Sequence, residues 1–254
     1  MLLLPHRMNG RADTLRVATY NVHRCVGLDW RRSERRIAEV IAGLSADIVG
    51  LQELSVPTSA ARNQAAIIAQ QLGWNLLFHP ALTRADEDFG DAIISRHPLR
   101  LVRAAELPGK SPWYCREPRA AMWAEVETDL GPVQMMNTHL GLNRRERLVQ
   151  AQWLASEEWL GRVPRDVLLV MVGDWNFLPG SKPHRTIMAR LRDSRESTTK
   201  QLPTFPTWFP LFAVDHILVS QNFRVVNVHV HRSARARIAS DHFPLVAELR
   251  KVPP

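Results

Sequence analysis

Apolar residues recur along this chain in two spacings, and each spacing predicts a different kind of element. Short alternating or continuous apolar runs predict strands, at 15–22, 47–51, 75–78, 91–95, 121–127, 133–138, 167–172, 214–219, 224–230 and 245–249. Apolar positions three and four residues apart predict helices. Ile37, Val40, Ile41 and Leu44 share one helical face, and further helices are expected at 60–72 and 144–160.

Strands in bunches with occasional helices fit neither a regular βαβα alternation nor an all-β chain. They predict an α/β (α+β) fold in the form of a four-layer sandwich, with two mixed β-sheets packed face to face and helices on the outer faces. No Gly/Ser linker, charge block or repeat divides the sequence. We therefore expect an N-terminal extension at 1–14 and one catalytic domain at 15–250.

Polar side chains stand at the ends of many of the predicted strands. They are Asn21, Glu53, Asn137 with His139, Asp174 with Asn176, Asp215, and Asp241 with His242. Such groups are costly next to apolar strands unless they face a solvated site or have partners. If the strands run in a common direction at one edge, these side chains converge on one cleft.

This set of residues suits phosphoryl transfer. That reaction needs the phosphate charge neutralised, a water aligned for in-line attack and the leaving oxygen stabilised. A hard oxygen ligand such as Glu53 suits Mg²⁺ or Mn²⁺. A histidine backed by a carboxylate holds a proton near neutral pH, and neutral asparagine amides orient water or phosphate without adding repulsion.

The sequence resembles the endonuclease/exonuclease/phosphatase superfamily, in a small single-domain form of bacterial type. The resemblance rests on motifs in the family's order that span about residues 16–250, namely Thr19-Tyr20-Asn21-Val22-His23, Leu51-Gln52-Glu53, Asn137-Thr138-His139-Leu140, Gly173-Asp174-Trp175-Asn176 and Ser240-Asp241-His242-Phe243-Pro244-Leu245. Two departures are Trp175, where relatives have Phe or Leu, and His216, where relatives often have Arg or Tyr. The resemblance implies a Mg²⁺- or Mn²⁺-dependent hydrolase of phosphate esters with the fold of deoxyribonuclease I.

The resemblance also implies roles for the residues at the metal and the water. Glu53 would be the main metal ligand, with Asn21 and Asp241 at the metal or its waters. Asp174 would orient or deprotonate the attacking water, and Asn176 would help to fix the phosphate.

Further roles implied by the resemblance concern the phosphate and the substrate. His242 would contact the scissile phosphate while Asp215 pairs with its ring. His139 would be a second histidine at the phosphate. Arg119 and Asn137 would bind substrate. Taken alone, Asp174 and Asn176 also fit an ordinary turn, His139 fits a buried core histidine, and Arg119 fits a surface arginine.

Charge bears on the substrate. The formal net charge is +8 and the isoelectric point is about 10.4, which favours polyanionic partners. Only four of the 33 basic residues are lysines, and so strong a bias to arginine also fits genome composition. Nucleic acid is the favoured substrate. The alternative is a phospholipid or inositol phosphate at an anionic membrane surface, and a non-catalytic phosphate binder is a third class. No obligate protein partner is inferred.

Two stretches bear on localisation and on the rim of the cleft. The apolar N-terminal run is too short for a signal peptide and no later stretch is long enough to span a membrane, so we expect a soluble, cytoplasmic protein. The Pro- and aromatic-rich stretch at 202–212 leads into Asp215. It could stack bases, enter a lipid interface or cover the edge of the core.

Overall fold

The computed structural model describes residues 13–57, 63–83, 87–109 and 117–253. The strands within them are β1 Thr14–Asn21, β2 Ile48–Pro57, β3 Asn75–Thr83, β4 Glu87–Ser95, β5 Leu99–Glu106, β6 Ala120–Thr128, β7 Gly131–His139, β8 Leu168–Asp174, β9 Arg192–Asp193, β10 Asp215–Val219, β11 Phe223–Val230 and β12 Leu245–Lys251. The helices are α1 Glu34–Leu44, α2 Gln64–Leu72, α3 Arg144–Leu154, α4 Lys182–Met188 and α5 Ala234–Ala239. None of these helices is long and apolar enough to cross a membrane.

The strands form two six-stranded mixed sheets. The first has the order β11-β12-β1-β2-β4-β3 and the second β5-β6-β7-β8-β10-β9. Each contains one parallel pair near its centre, β1 with β2 and β7 with β8. The predicted α/β sandwich of two mixed sheets is therefore confirmed.

Period-two alternation explains how the sheets pack. In β1, Val17 faces the cluster shared by the two sheets, whereas Ala18 and Tyr20 face the cluster that includes α1 and α2. The second sheet is covered on its outer face by a third cluster, to which α3 and α4 contribute Leu154 and Ile187. Burial on both faces is why these strands are nearly continuously apolar.

Side-chain caps start four of the described helices, and at α5 the cap is Ser233, whose side chain accepts from Ala236 N. Ser33 Oγ accepts a hydrogen bond from Arg36 N, and the Asn63 side chain accepts one from Ala66 N. Asn143 accepts from the first-turn amides of α3. Each cap satisfies an amide that the helix itself leaves without a partner.

The two sheets come into close contact at Gly50, the third residue of β2. A Cβ atom there would lie 2.4 Å from Val172 Cγ2 and 2.8 Å from Asn137 Oδ1. Asn137 uses this close approach to donate to the carbonyls of Leu51 and Ala92 in the first sheet, at 2.9 Å each. The sheets are thus joined by polar bonds next to the strand ends.

Some predicted boundaries are wrong. The helix expected to reach residue 160 ends at Leu154, because the chain turns at Ala155 and Ser156 to bury Trp159 completely against Trp153. The helix expected at 60–72 begins at Gln64, and residues 58–62 lie outside the described residues. The sequence pattern also missed β5, whose exposed edge position does not require strict alternation.

Candidate active site

The strand ends meet at one edge of both sheets, because the register of the paired strands aligns them. Asn21 pairs with Gln52 across β1 and β2, which brings Glu53 to the same edge. In the second sheet, Asp174 is the register partner of both His139 and Asp215. The predicted convergence of the polar strand ends on one cleft is therefore observed for these residues.

Glu53 enters the cleft through a local distortion of β2. The register of β2 against β4 shifts between Leu51 and Leu54, and Glu53 has a φ of 60°. A non-glycine residue in the left-handed region is uncommon and concentrates at functional sites. A bulge of this kind changes the direction of a side chain within a sheet, and here 26% of the Glu53 side chain remains exposed.

An asparagine amide joins the two central carboxylates. Asn21 Nδ2 donates to Glu53 Oε1 at 2.9 Å and to Asp174 Oδ2 at 3.0 Å. Glu53, His139 and Asp174 each place a ligand-type atom within 4.8 Å of the others. Two carboxylates at this separation fit a small divalent cation that prefers oxygen ligands.

Asp174 lies at the centre of the cleft. Its Oδ1 accepts from the backbone N–H of Asn176 at 3.1 Å, while Oδ2 lies 3.4 Å from His139 Nε2 and 3.6 Å from His242 Nε2. Burial raises the pKa of Asp174 to about 7, and the charge of His242 opposes that rise. This carboxyl group therefore exchanges its proton near neutral pH.

His242 and Asp215 form a buried pair. His242 Nδ1 lies 2.8 Å from Asp215 Oδ2, and the ring of Phe205 packs on the imidazole at 4.7 Å. Burial alone would lower the pKa of His242, but the charges of Asp215 and then Asp174 raise it to about 10. The His242 ring therefore carries a positive charge at neutral pH, with Nε2 directed at Asp174.

His139 is held in the opposite protonation state. Arg119 Nη1 donates to His139 Nδ1 at 2.9 Å, which leaves the ring proton on Nε2, 3.4 Å from the acceptor Asp174 Oδ2. Burial, followed by the charges of Arg119 and His242, holds the pKa of His139 well below its ordinary value. The cleft thus contains one charged and one neutral imidazole.

Arg119 and Asn137 were both expected to bind substrate, and the structure places them differently. Arg119 is only 7% exposed, yet it lines a small pocket that opens beside Glu53. Asn137 is fully buried, with its Oδ1 accepting from Gln52 Nε2 and its Nδ2 bonded across the sheets. The structure therefore brings Asn137 behind the cleft rather than onto its surface.

Asp241 lies at the rim. The Ser240 hydroxyl donates to the Asn21 carbonyl at 2.8 Å, and its Oγ lies 3.3 Å from Asp241 Oδ1. His23 Nδ1 is 3.9 Å from Asp241 Oδ1, and 29% of the Asp241 side chain is exposed. Asp241, which was expected at the metal ion or its waters, thus lies next to Asn21 on the solvent side of the cleft.

The sequence pattern missed three residues in the small pocket. Asp91 is 4% exposed, and burial raises its pKa to about 8; its Oδ1 accepts from Glu53 N at 3.4 Å. Arg24 packs over Phe89 at 4.6 Å and lies 3.8 Å from Glu117. A carboxylate within the apolar run of β4 was the available signal for Asp91, whereas Arg24 and Glu117 gave none.

A second histidine cluster is built around His216, the residue that follows Asp215 in β10. Asp193 Oδ2 lies 2.6 Å from His216 Nδ1 and 3.4 Å from His184 Nε2, all three residues being buried. His216 Nε2 lies 3.2 Å from the Phe177 carbonyl. The departure from the family pattern at His216 is thus accommodated by a buried partner.

The comparisons with known proteins agree with this geometry. The family model described as Endonuclease/Exonuclease/phosphatase family matches residues 18–242, so the chain belongs to that family. It is 24% identical over 250 residues to the uncharacterized protein YbhP of Escherichia coli strain K12, covering 93% of this chain and 96% of that protein.

Two solved structures share the fold. The endonuclease/exonuclease/phosphatase from Beutenbergia cavernae superposes with a TM-score of 0.74 at 24% identity, over 94% of this chain and 72% of that one. The mannosyl-6-phosphatase Bt3783 of Bacteroides thetaiotaomicron superposes with a TM-score of 0.71 at 22% identity, over 92% of this chain and 99% of that one. As a member of the endonuclease/exonuclease/phosphatase family, the chain belongs to the class of phosphate-ester hydrolases.

Proposed function

We propose that this chain is a Mg²⁺- or Mn²⁺-dependent phosphodiesterase and that nucleic acid is its preferred substrate. The observation that carries the proposal is the Asn21 amide, which bonds to both Glu53 and Asp174 within reach of His139 and His242. Glu53 and Asn21, with Asp241 on the rim, would hold the divalent ion. When bound, the ion would neutralise phosphate charge and act as a Lewis acid on its oxygens.

The proton chemistry is assigned to Asp174 and the two histidines. A pKa of about 7 lets Asp174 accept the proton of an attacking water near neutral pH. His242, kept protonated by Asp215, offers Nε2–H to a phosphate oxygen as negative charge develops. His139 donates from Nε2 while neutral, so it adds a hydrogen bond without a second positive charge, and Asn176 fixes the phosphate beside it.

A basic cleft beside Asn176 supports an extended polyanion as substrate. The described residues that line it include Arg144, Arg147, Lys182 and Arg185 and no carboxylate. Cations spaced along such a cleft neutralise successive phosphates of a nucleic acid, which makes binding strongly salt-dependent. We assign this cleft to the phosphates that flank the one being cleaved.

The catalytic assignment is tested with a generic bis-aryl phosphodiester. Asp174→Asn should lower the turnover number by about 10²–10⁴-fold, because the amide cannot take up a proton. The matched control is Asp166→Asn, an exposed carboxylate just before the opposite end of the same strand, which should keep full activity. Addition of a chelator should abolish turnover. Unchanged turnover of Asp174→Asn would refute the assignment.

Phospholipid is the second candidate substrate. The observation that favours it is the exposed apolar surface at residues 208–212, near His242. Cleavage of plasmid DNA and hydrolysis of anionic liposomes should be compared under identical metal and salt. Cleavage of DNA that falls steeply with salt supports nucleic acid, whereas absence of DNA and RNA cleavage at low salt would overturn it.

A further inference from the structure

Four exposed large apolar side chains near the cleft belong to one loop. We call residues 202–212 the apolar loop, since the segment contains no charged residue. Within it, Trp208 is 68% exposed, Phe209 and Leu211 are 58% exposed, and Phe212 is 44% exposed. A contiguous exposed apolar patch of this kind marks an interaction surface in a folded protein.

The exposure of these side chains is built into the structure. Phe205 and Phe212 exchange backbone hydrogen bonds at 3.1 and 2.8 Å, which closes the loop on itself. Thr207 N donates to the Asp241 carbonyl at 2.8 Å, and Thr207 Oγ1 donates to the Ser240 carbonyl at 2.9 Å. The base of the loop is therefore tied to the strand-end motif that carries His242, while its tip is held out in solvent.

Cations and further apolar side chains adjoin the loop at α5. Arg237 Nη1 donates to the Thr207 carbonyl, and Arg232 Nη2 donates to the Pro203 carbonyl, each at 3.1 Å. Ile238 is 45% exposed, and its carbonyl accepts from Leu28 N, two residues before the 87% exposed Trp30. Arginines thus lie at the base of an apolar tip.

This arrangement matches an anionic lipid surface better than a strand of nucleic acid. Leu211 and Ile238 are aliphatic and offer no aromatic face to a base. The ring centroids of Trp208 and Phe209 are 6.3 Å apart, so the two exposed rings form one compact apolar surface with Leu211. Apolar groups that enter the headgroup region, with arginines level with the lipid phosphates, are the pattern of interfacial membrane binding.

We propose that the apolar loop docks this protein on an anionic phospholipid bilayer, with Trp208, Phe209, Leu211 and Phe212 entering the headgroup region and Arg232 and Arg237 meeting the lipid phosphates. Because Phe205 of the same loop packs on His242 at 4.7 Å, docking brings the membrane surface to the mouth of the candidate active site. The proposal concerns binding alone and does not depend on turnover.

The experiment measures partition of the full chain onto vesicles of phosphatidylcholine with and without phosphatidylglycerol. The wild type should bind the phosphatidylglycerol vesicles more tightly, and added salt should remove that difference. The double variant Trp208→Ser with Phe209→Ser should lower the partition coefficient at least about tenfold. Both side chains are exposed, so the variant should keep the wild-type melting temperature.

The matched control removes exposed apolar side chains elsewhere. Leu101 and Val102 on β5 are 49% and 39% exposed, and Leu101→Ser with Val102→Ser should bind vesicles as the wild type does. Vesicle binding that is absent from the wild type, or equal in both double variants, would overturn the proposal.

Two other occupants of the patch have their own readouts. If the wild type does not bind vesicles but binds single-stranded oligonucleotides through Trp208 and Phe209, the loop is a base-stacking surface and the lipid proposal is wrong. If the wild type does not bind vesicles but forms a dimer, and the Trp208→Ser with Phe209→Ser variant does not, the patch is a self-association surface. A catalytically inactive preparation still gives a readable result, since binding needs no turnover.

Discussion

The His242–Asp215 pair gives a prediction whose size follows from one distance. In Asp215→Asn the side chain keeps its shape and an oxygen for hydrogen bonding but loses its charge, 2.8 Å from His242 Nδ1. A charge-assisted hydrogen bond of this kind contributes about 1.5–3 kcal/mol, and about 1.4 kcal/mol corresponds to one pKa unit. The pKa of His242 should therefore fall from about 10 by about one to two units.

The assay is a nuclear magnetic resonance titration of the histidine ring protons in protein without added metal ion. His242 is assigned from the spectrum of His242→Gln, and Asp166→Asn serves as the carboxylate control. Because folding raises the pKa of His242 from its ordinary 6.5, the pair stabilises the fold fully below about pH 6.5 and loses that effect as pH rises through about 10. A pKa of His242 that is unchanged or higher in Asp215→Asn would refute this reasoning.

Two further substitutions test the packing that holds the site. Asp193→Asn should cost about 1.5–3 kcal/mol, because it replaces the charged acceptor beside buried His216 with a neutral amide, and the melting temperature at pH 7 should fall by about 3–12 °C. Burial raises the pKa of Asp193, but the contacts with His216 and His184 outweigh burial and hold that pKa far below its ordinary value. The loss should therefore shrink as pH falls below about 4. A full-sized loss that persists at pH 3 would contradict this. Gly50→Ala should cost about 1–3 kcal/mol, because the added methyl group overpacks the contact between the sheets. The control is Gly43→Ala in α1, where a Cβ atom meets only ordinary contacts, and this variant should be neutral or stabilising. Equal melting temperatures for the two alanine variants would contradict the close contact at Gly50.

The convergence of the strand ends could be predicted from the sequence because its signal is local. An apolar strand that runs directly into a polar group, as at Val172-Gly173-Asp174, indicates both the strand and the end that faces a cleft. Parallel pairing and register then align such ends, as observed for His139 and Asp174. The sandwich of two mixed sheets followed from the same spacing of strands and helices.

Other parts of the site depend on contacts between distant segments and gave no local signal. The direction of Glu53 is set by a shift in register against β4, which no pattern within β2 reveals. Arg24 reaches the small pocket through its contact with Phe89. Asn137 has the residue type of a substrate ligand, but the close contact at Gly50 directs its amide to Leu51 and Ala92 instead.

We propose above that the carboxylate of Glu53, placed beside Asn21 and Asp174, holds a divalent metal ion. Titration of Mn²⁺ into the wild type and into Glu53→Gln, followed by electron paramagnetic resonance of the free ion, tests this directly. We expect the wild type to bind Mn²⁺ and the variant to bind it at least about tenfold more weakly. The melting temperature should be unchanged, because the Glu53 side chain is partly exposed. Equal Mn²⁺ affinity of the two proteins would contradict it.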